Sequence, residues 1–289
     1  MNKPEQLRSY SFILATLRYR KLIAFLTRTV IAFRMKKVIL IFGMSRSGTS
    51  MLGKFLSLGK TSIYMHEPET ELMKQHFGPN RHYTQKNFWD FVHAEVPTEL
   101  KVHTLVCISL FAVLKAPFFS KAIVIKPISF VEVIGESSEA LTNANIVYIC
   151  RHPAGRSESI LRQLQHDQGI EEISLEALEQ ISQDWGRTNK TIKELHRQNP
   201  KWLWVFFEKL TGNPVAEFKK LYTQLGLPWN QSIADEIEKS TTGMDGGYYN
   251  IQRDSRKQAD KWRNSLTAEQ IESVRKGTLP FETDLYESF

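Results

Sequence analysis

Continuous apolar runs recur along the chain, separated by stretches with helical periodicity. Lys37 to Phe42 (KVILIF) is uninterrupted and stops at Gly43, the pattern of a strand buried on both faces of a parallel sheet. Ala122 to Lys126 (AIVIK), halted by Pro127, and Ile146 to Cys150 (IVYIC), running into Arg151, repeat it. Thr61 to Met65, closed by Glu67-Pro68, and Trp202 to Phe207 (WLWVFF) complete a predicted set of five strands. Helices are predicted from Gly48 to Leu58, over residues 154–166 and over 174–198. Residues 69 to 115 read as mostly helical, with breaks near Gly78-Pro79 and at Pro97. Strands alternating with helices predict an α/β fold, a parallel β-sheet with helices on both faces. Ligands of such sheets bind off the carboxyl ends of the strands. That rule singles out Gly43 to Ser50, Glu67, Lys126 and Arg151 before any motif is considered.

Ahead of the first strand lies a different pattern. Tyr10 to Phe33 (YSFILATLRYRKLIAFLTRTVIAF) is apolar helix-forming material, interrupted by Arg18, Arg20, Lys21 and Arg28. Its longest uncharged run, Ser9 to Leu17, is far short of the roughly 20 apolar residues of a membrane span. No small-residue cleavage site follows a clean apolar core, which argues against a secretory signal. On a helix Arg18, Lys21 and Arg28 share one side while Arg20 and Arg34 do not, so the amphipathicity is imperfect. Two readings stand. The helix packs on the domain or on a second subunit of a homo-oligomer. Alternatively, residues 8–34 make peripheral membrane contact, with Phe, Ile and Leu in lipid and Lys and Arg at anionic headgroups. The chain thus divides into an N-terminal basic, hydrophobic helical arm, residues 1–36, and a folded body, residues 37–289.

Composition changes the picture only in part. The 289 residues, 42% hydrophobic and 24% charged, exclude a disordered, collagen-like or disulfide-framework protein. A net charge of +7 invites a nucleic-acid partner, but its distribution argues against one. Nine Lys and Arg against one acid fall within the first 37 residues, and the remainder holds 29 bases and 30 acids. The two cysteines, Cys107 and Cys150, sit in apolar runs and read as reduced core residues, consistent with a cytoplasmic protein. No Cys/His cluster has zinc spacing, and no metal site is expected.

The chemistry begins at GMSRSGTS (Gly43 to Ser50), between the first strand and the first helix. Glycine, four residues, glycine and two hydroxyl residues resemble a P-loop, in which backbone N–H groups and a helix N-terminus cradle an anion. Ser47, Thr49 and Ser50 add hydroxyl donors, Gly48 lets the backbone approach closely, and Arg46 adds a forked cation. Thr49 occupies the place of the Walker lysine, and no acidic metal-binding position follows a later strand, which disfavours ATP–Mg²⁺ chemistry. The fourth strand then runs into RHPAGRSES, placing Arg151 at its carboxyl end and Ser159 eight residues on. Pro153 suits the first turn of a helix. Ser159 then lies about two turns in, at 3.6 residues per turn. An arginine fork and a hydroxyl make a clamp for a second phosphate.

Together these stretches resemble the PAPS-dependent sulfotransferases, which transfer a sulfuryl group from 3′-phosphoadenosine 5′-phosphosulfate. GMSRSGTS is similar to the family's 5′-phosphosulfate loop and IVYICRHPAGRSESIL to its 3′-phosphate motif. FFEKLTGNPVAEFKKLYTQLGLP (Phe206 to Pro228) resembles the family's strand, Glu-x-Leu and Leu-Gly-Leu stretch. SRKQADKWRNSL (Ser255 to Leu266) resembles its basic C-terminal loop, which ends in Trp and a basic residue. YMHEP (Tyr64 to Pro68) is closest to the carbohydrate-type branch, where a Glu-Pro pair follows the second strand; Met51 stands where some cytosolic members carry an adenine-stacking Trp.

The resemblance implies a P-loop-type sheet and a sulfotransferase domain over residues 37–289. It implies PAPS as co-substrate, no required metal, and a hydroxyl-bearing small molecule, glycan or lipid as acceptor. Ser47, Gly48, Thr49 and Ser50 would hold the 5′-phosphosulfate. Arg151 and Ser159 would hold the 3′-phosphate, with Arg256 or Lys257 folding over it. Arg46 and Lys126 would be the cations that stabilise charge on the leaving and transferred oxygens, with a strand-end ion pair as the other reading of Lys126. Glu67 is the expected base, its pKa raised by partial burial. His66 is the rival, and strand alternation points the two side chains opposite ways. Residues 70 to 118, rich in aromatics and His from His76 to His93, occupy the place of an acceptor region, and the same side chains equally suit a hydrophobic core; the loop Gly243 to Asn250 reads either as a flap over the site or as a packing segment. Two other readings share these features: a P-loop small-molecule kinase, and a membrane-associated nucleotide-binding protein without catalysis.

Overall fold

The computed structural model describes residues 11–70, 96–127, 130–169, 173–242 and 259–286. In chain order, a helical turn over residues 11–16 and a 3₁₀ turn at Leu17–Tyr19 lead into α1 (Arg20–Phe33) and β1 (Lys37–Phe42). Then come α2 (Thr49–Leu56), β2 (Ser62–His66), α3 (Thr98–Lys115), β3 (Ala122–Lys126), α4 (Ile134–Ala140) and β4 (Ala144–Cys150). Helices α5 (Pro153–Gln168) and α6 (Leu175–Gln198) precede β5 (Leu203–Phe206). The chain continues through α7 (Phe207–Gly212), α8 (Pro214–Gln224), α9 (Gln231–Thr242), α10 (Trp262–Ser265) and α11 (Ala268–Thr278). The predicted Gly78-Pro79 break, the aromatic stretch His76 to His93, the loop Gly243 to Asn250, and Arg256 and Lys257 lie outside the described residues.

The five predicted strands are present in one sheet of order β2-β3-β1-β4-β5, flanked by helices. Burial follows that order. Strand β3 is buried throughout, and β1 throughout except Lys37, whereas β2 and β5 at the edges are only half-buried. Uninterrupted Val and Ile runs are therefore confined to strands covered on both faces. Boundaries moved by a residue or two. Phe207 leaves the fifth strand because α7 starts there, and β4 begins two residues early at Ala144.

The chain forms two compact units, Met1–Phe42 with Gly59–Ile146 and Gly43–Leu58 with Val147–Phe289. In the first, β3 pairs in parallel with β1 and with β2, in a register that sets His66 opposite Lys126. The arm packs here: Ile13, Ile23, Thr27 and Ile31 are buried, and Thr16 Oγ1 lies 3.0 Å from His103 Nε2 of α3. The expected single helix is broken by the 3₁₀ turn, and its packed face settles on α3. After α1, Arg34 donates to the Ala116 carbonyl at 2.6 Å. Buried Lys36 donates to the Pro117 and Phe118 carbonyls, each at 3.0 Å, and to the Ser120 carbonyl. Two turns are thereby bound side by side.

In the second unit β4 pairs in parallel with β5, and α6 lies against α11. Gly277 allows that approach, and Gly186 makes room for Phe281 in the 3₁₀ turn that follows α11. A Cβ on Gly277 would stand 2.4 Å from the Glu179 carbonyl oxygen, and one on Gly186 would stand 2.3 Å from the Phe281 ring. Replacing Gly277 by Val should therefore destabilise the protein by roughly 2 kcal/mol through overpacking, lowering the melting temperature by several degrees. An unchanged melting temperature on thermal denaturation would contradict this packing.

Candidate active site

The loop after β1 is shaped by two left-handed residues. Arg46 has φ +68° and Gly48 has φ +93°. The Ser47 N–H closes a tight turn on the Met44 carbonyl at 3.1 Å, and α2 starts at Thr49 with Gly48 as its N-cap. Glycine is required at position 48 twice over: φ is positive, and a Cβ would lie 2.5 Å from the Phe207 ring. Alternating hands of this kind turn successive N–H groups toward one concavity, and the helix N-terminus adds its dipole. Ser47 is almost fully buried and Thr49 nearly so.

The loop is gripped from behind by two buried guanidinium groups. Arg156 Nε donates to the Ser45 carbonyl at 3.1 Å, and its Nη1 donates to the Ile181 carbonyl at 3.3 Å. Arg151 Nη1 donates to the Arg46 carbonyl at 3.1 Å, and Arg46 Nε donates to Ser159 Oγ at 2.9 Å. A trans peptide points its N–H opposite its C=O. Fixing the Ser45 carbonyl on Arg156 therefore also fixes the direction of the Arg46 N–H. Burial pulls the pKa of both Arg151 and Arg156 down to about 10, which leaves each protonated at neutral pH.

Arg151 is itself held in place. Its guanidinium stacks on Phe207, 4.5 Å from the ring centroid, and its carbonyl accepts from Trp185 Nε1 at 2.9 Å. Helix α5 starts two residues later at Pro153, as expected, and passes the guanidinium closely at Gly155, where a Cβ would lie 3.2 Å from Arg151 Nε. The next residue, His152, donates its backbone N–H to Glu208 Oε1 at 2.9 Å, and Tyr286 donates to Glu208 Oε2 at 2.8 Å. The His152 ring stacks on Trp262 with centroids 4.7 Å apart. Trp262 belongs to the C-terminal basic motif, so the Trp of that motif packs on the residue beside Arg151. His152 Nδ1 accepts from the Ala154 N–H at 3.2 Å, capping α5.

The first unit holds the other candidate residues. Glu67 directly follows β2 and has φ +47°, and its N–H bonds the Lys126 carbonyl at 2.7 Å. Lys126 Nζ donates to Glu67 Oε1, and His66 Nε2 lies 3.8 Å from the same oxygen. One expectation changes. Strand alternation does not carry past His66, because the left-handed turn at Glu67 brings the carboxylate back beside the imidazole. Lys126 forms a strand-end ion pair, as its second reading had it, and its partner is Glu67, the expected base. Burial first, and then the Lys126 charge, lower the pKa of His66 and favour its neutral ring.

Ser47, Thr49, Arg46, Arg151 and Ser159 thus gather in one unit, and Glu67, Lys126 and His66 in the other. Sequence reasoning assigned no role to Arg156, to Glu208 of the Glu-x-Leu stretch, or to Asn189. Asn189 accepts from Tyr148 Oη at 2.9 Å and donates to the Trp185 carbonyl at 2.8 Å. Arg156 had a signal: it precedes Ser159 by three residues, which places both on one helix face. The Asn189 bond from Tyr148 and the Glu208 bond from His152 join residues 41 and 56 positions apart, which no local pattern shows.

The sulfotransferase family model matches residues 38–231, about two thirds of the chain. The chain belongs to the sulfotransferase family. No curated protein matches it by sequence. Solved structures share the fold. The sulfotransferase domain from the curacin biosynthetic pathway is 19% identical, with a TM-score of 0.53, covering 86% of this chain and 98% of its own. Mouse sulfotransferase SULT7A1 complexed with PAP is 14% identical, with a TM-score of 0.55, covering 86% and 85%. Sulfotransferase STF9 from Mycobacterium avium is 9% identical, with a TM-score of 0.55, covering 88% and 78%.

Arg156→Ala should destabilise the fold by about 2–3 kcal/mol, the scale of losing charge-assisted bonds to buried carbonyls. Urea unfolding measures this, and wild-type stability would show that Arg156 does not brace the loop.

Proposed function

We propose that this protein transfers the sulfuryl group of PAPS to a hydroxyl group of a carbohydrate, glycolipid or other alcohol. The observation that carries the reading is the direct linkage of the two anion-binding elements, Arg46 Nε to Ser159 Oγ and Arg151 Nη1 to the Arg46 carbonyl. In a chain that belongs to the sulfotransferase family, these elements correspond to the loop for a 5′-phosphosulfate and the clamp for a 3′-phosphate. Thr49 in the position of the Walker lysine supports PAPS over ATP, and family membership replaces the kinase reading.

PAPS supplies an activated sulfuryl group on a phosphate leaving group. The residues fit such a ligand, because two buried arginines retain their charge beside a glycine-shaped concavity. Gly48, Thr49 and Ser50 would bind the 5′ end through backbone N–H groups, and Ser47, Thr49 and Ser50 through hydroxyls. Arg151 and Ser159 would bind the 3′-phosphate, joined by Arg256 or Lys257 from the motif that includes Trp262. Arg46 would stabilise charge on the bridging oxygen.

Glu67 is assigned the base. Lys126 orients one carboxylate oxygen, Oε1, and the second, Oε2, takes the acceptor proton. The neutral His66 ring buttresses the same carboxylate. The Glu67-Pro68 pair supports a place in the carbohydrate-type branch.

Transfer is tested with labelled PAPS and a panel of acceptor alcohols, without added magnesium. Glu67→Gln should lower turnover by roughly 10²-fold or more while leaving nucleotide affinity unchanged, and His66→Gln should have a much smaller effect. If the His66 variant loses as much rate as the Glu67 variant, Glu67 is not the base. If wild-type protein transfers no label to any alcohol, the catalytic reading fails.

A further inference from the structure

The exposed apolar surface is unevenly distributed. Of the twelve large hydrophobic side chains exposed among the described residues, ten lie in residues 12–35 and 114–119. Phe118 is 95% exposed, Phe33 and Met35 are each 86% exposed, and Phe119 is 67% exposed. Isolated exposed apolar residues are ordinary, but a concentrated patch marks a contact surface.

The packing explains the shape of this surface. Helix α1 buries Ile23, Ala24, Thr27 and Ile31. At 3.6 residues per turn, Leu22, Phe25, Leu26 and Phe33 form a second apolar stripe on the opposite side, and it remains exposed. The helix is therefore apolar on two faces, only one of which packs against the described residues. The bonds from Arg34 to the Ala116 carbonyl and from Lys36 to the Pro117 and Phe118 carbonyls hold the turn carrying Phe33 and Met35 beside the turn carrying Phe118 and Phe119. The stripe and both turns belong to the same compact unit.

We propose that this surface inserts into the interface of an anionic lipid bilayer. Charge selects this occupant over a second copy of the chain. Residues 11–37 and 111–122 contain nine Lys and Arg and no Asp or Glu. A second copy would oppose like charges, whereas phosphate headgroups neutralise them. Lys21 and Arg28 border the exposed stripe of α1, and Lys115 and Lys121 bracket the aromatic turn. No helix among the described residues is long and apolar enough to cross a membrane, so the contact is with one face of the bilayer. Both readings of the arm then hold at once: one face packs on α3 and the other meets lipid. Helix α1 acts together with the Phe118–Phe119 turn, which lies far from it in sequence.

Flotation of the full chain with phosphatidylcholine vesicles, with and without phosphatidylglycerol, tests the proposal. Binding to the anionic vesicles is expected, weakening as salt rises. The pair Phe118→Ser and Phe119→Ser, and separately Phe25→Ser, should lower partitioning about tenfold or more. Lys21→Glu with Arg28→Glu should remove the preference for anionic lipid. Every variant should keep its melting temperature and its stabilisation by adenosine 3′,5′-bisphosphate, so failure here is separate from failure of the sulfuryl-transfer reading. No binding to either vesicle overturns the proposal. So does wild-type partitioning by the aromatic variants, or a dimer seen by light scattering that the same substitutions dissociate without any vesicle binding.

Discussion

The site depends on two buried arginines holding the carbonyl edge of one loop. Arg156 and Arg151 bond the carbonyls of Ser45 and Arg46, and the loop between β1 and α2 then has its N–H direction fixed before any ligand arrives. Burying a guanidinium is costly unless its hydrogen bonds are made. Here the protein meets that cost with backbone carbonyls and with carboxylates nearby, among them Glu208 and Glu158 beside Arg151. The result is a rigid, positively charged concavity of the kind that binding two anionic groups on one molecule demands. A preorganised cradle loses little conformational freedom when its ligand binds.

The surroundings serve that cradle. Phe207 fills the space a side chain at position 48 would need, and it also carries the Arg151 guanidinium on its ring. Gly155 thins α5 where it passes Arg151. Glu208 ties the backbone of His152 to Tyr286 near the C-terminus, and Trp262 stacks on the His152 ring. These contacts give the C-terminal segment a direct route to the clamp. A chain that ended before α10 would lose both Trp262 and Tyr286 from behind Arg151.

Much of this was legible in the sequence because strand cores and anion loops are local patterns. KVILIF, AIVIK and IVYIC read as buried strands since β1, β3 and β4 are covered on both faces, and a continuous apolar run has few other uses. Glycine spacing announced the loop at Gly43 to Ser50, and Pro153 announced the helix after Arg151. What escaped was non-local or broke a local rule. Arg156 and Glu208 act on carbonyls and amides more than fifty residues away in sequence. Glu67 escaped alternation because its backbone is left-handed, and that single dihedral converts a predicted choice between His66 and Glu67 into a cluster with Lys126. The arm's double apolar character showed in its composition, but which stripe faces the protein was decided by tertiary packing on α3.

Calorimetric titration of the wild-type protein and of Arg151→Ala with adenosine 3′,5′-bisphosphate and with ADP bears most directly on the paired anion sites. The wild-type protein should bind the 3′-phosphorylated nucleotide at least about tenfold more tightly than ADP, the scale of one charge-assisted contact, and Arg151→Ala should erase the difference. Equal affinities in the wild-type protein, or a preference that survives the loss of Arg151, would contradict the account.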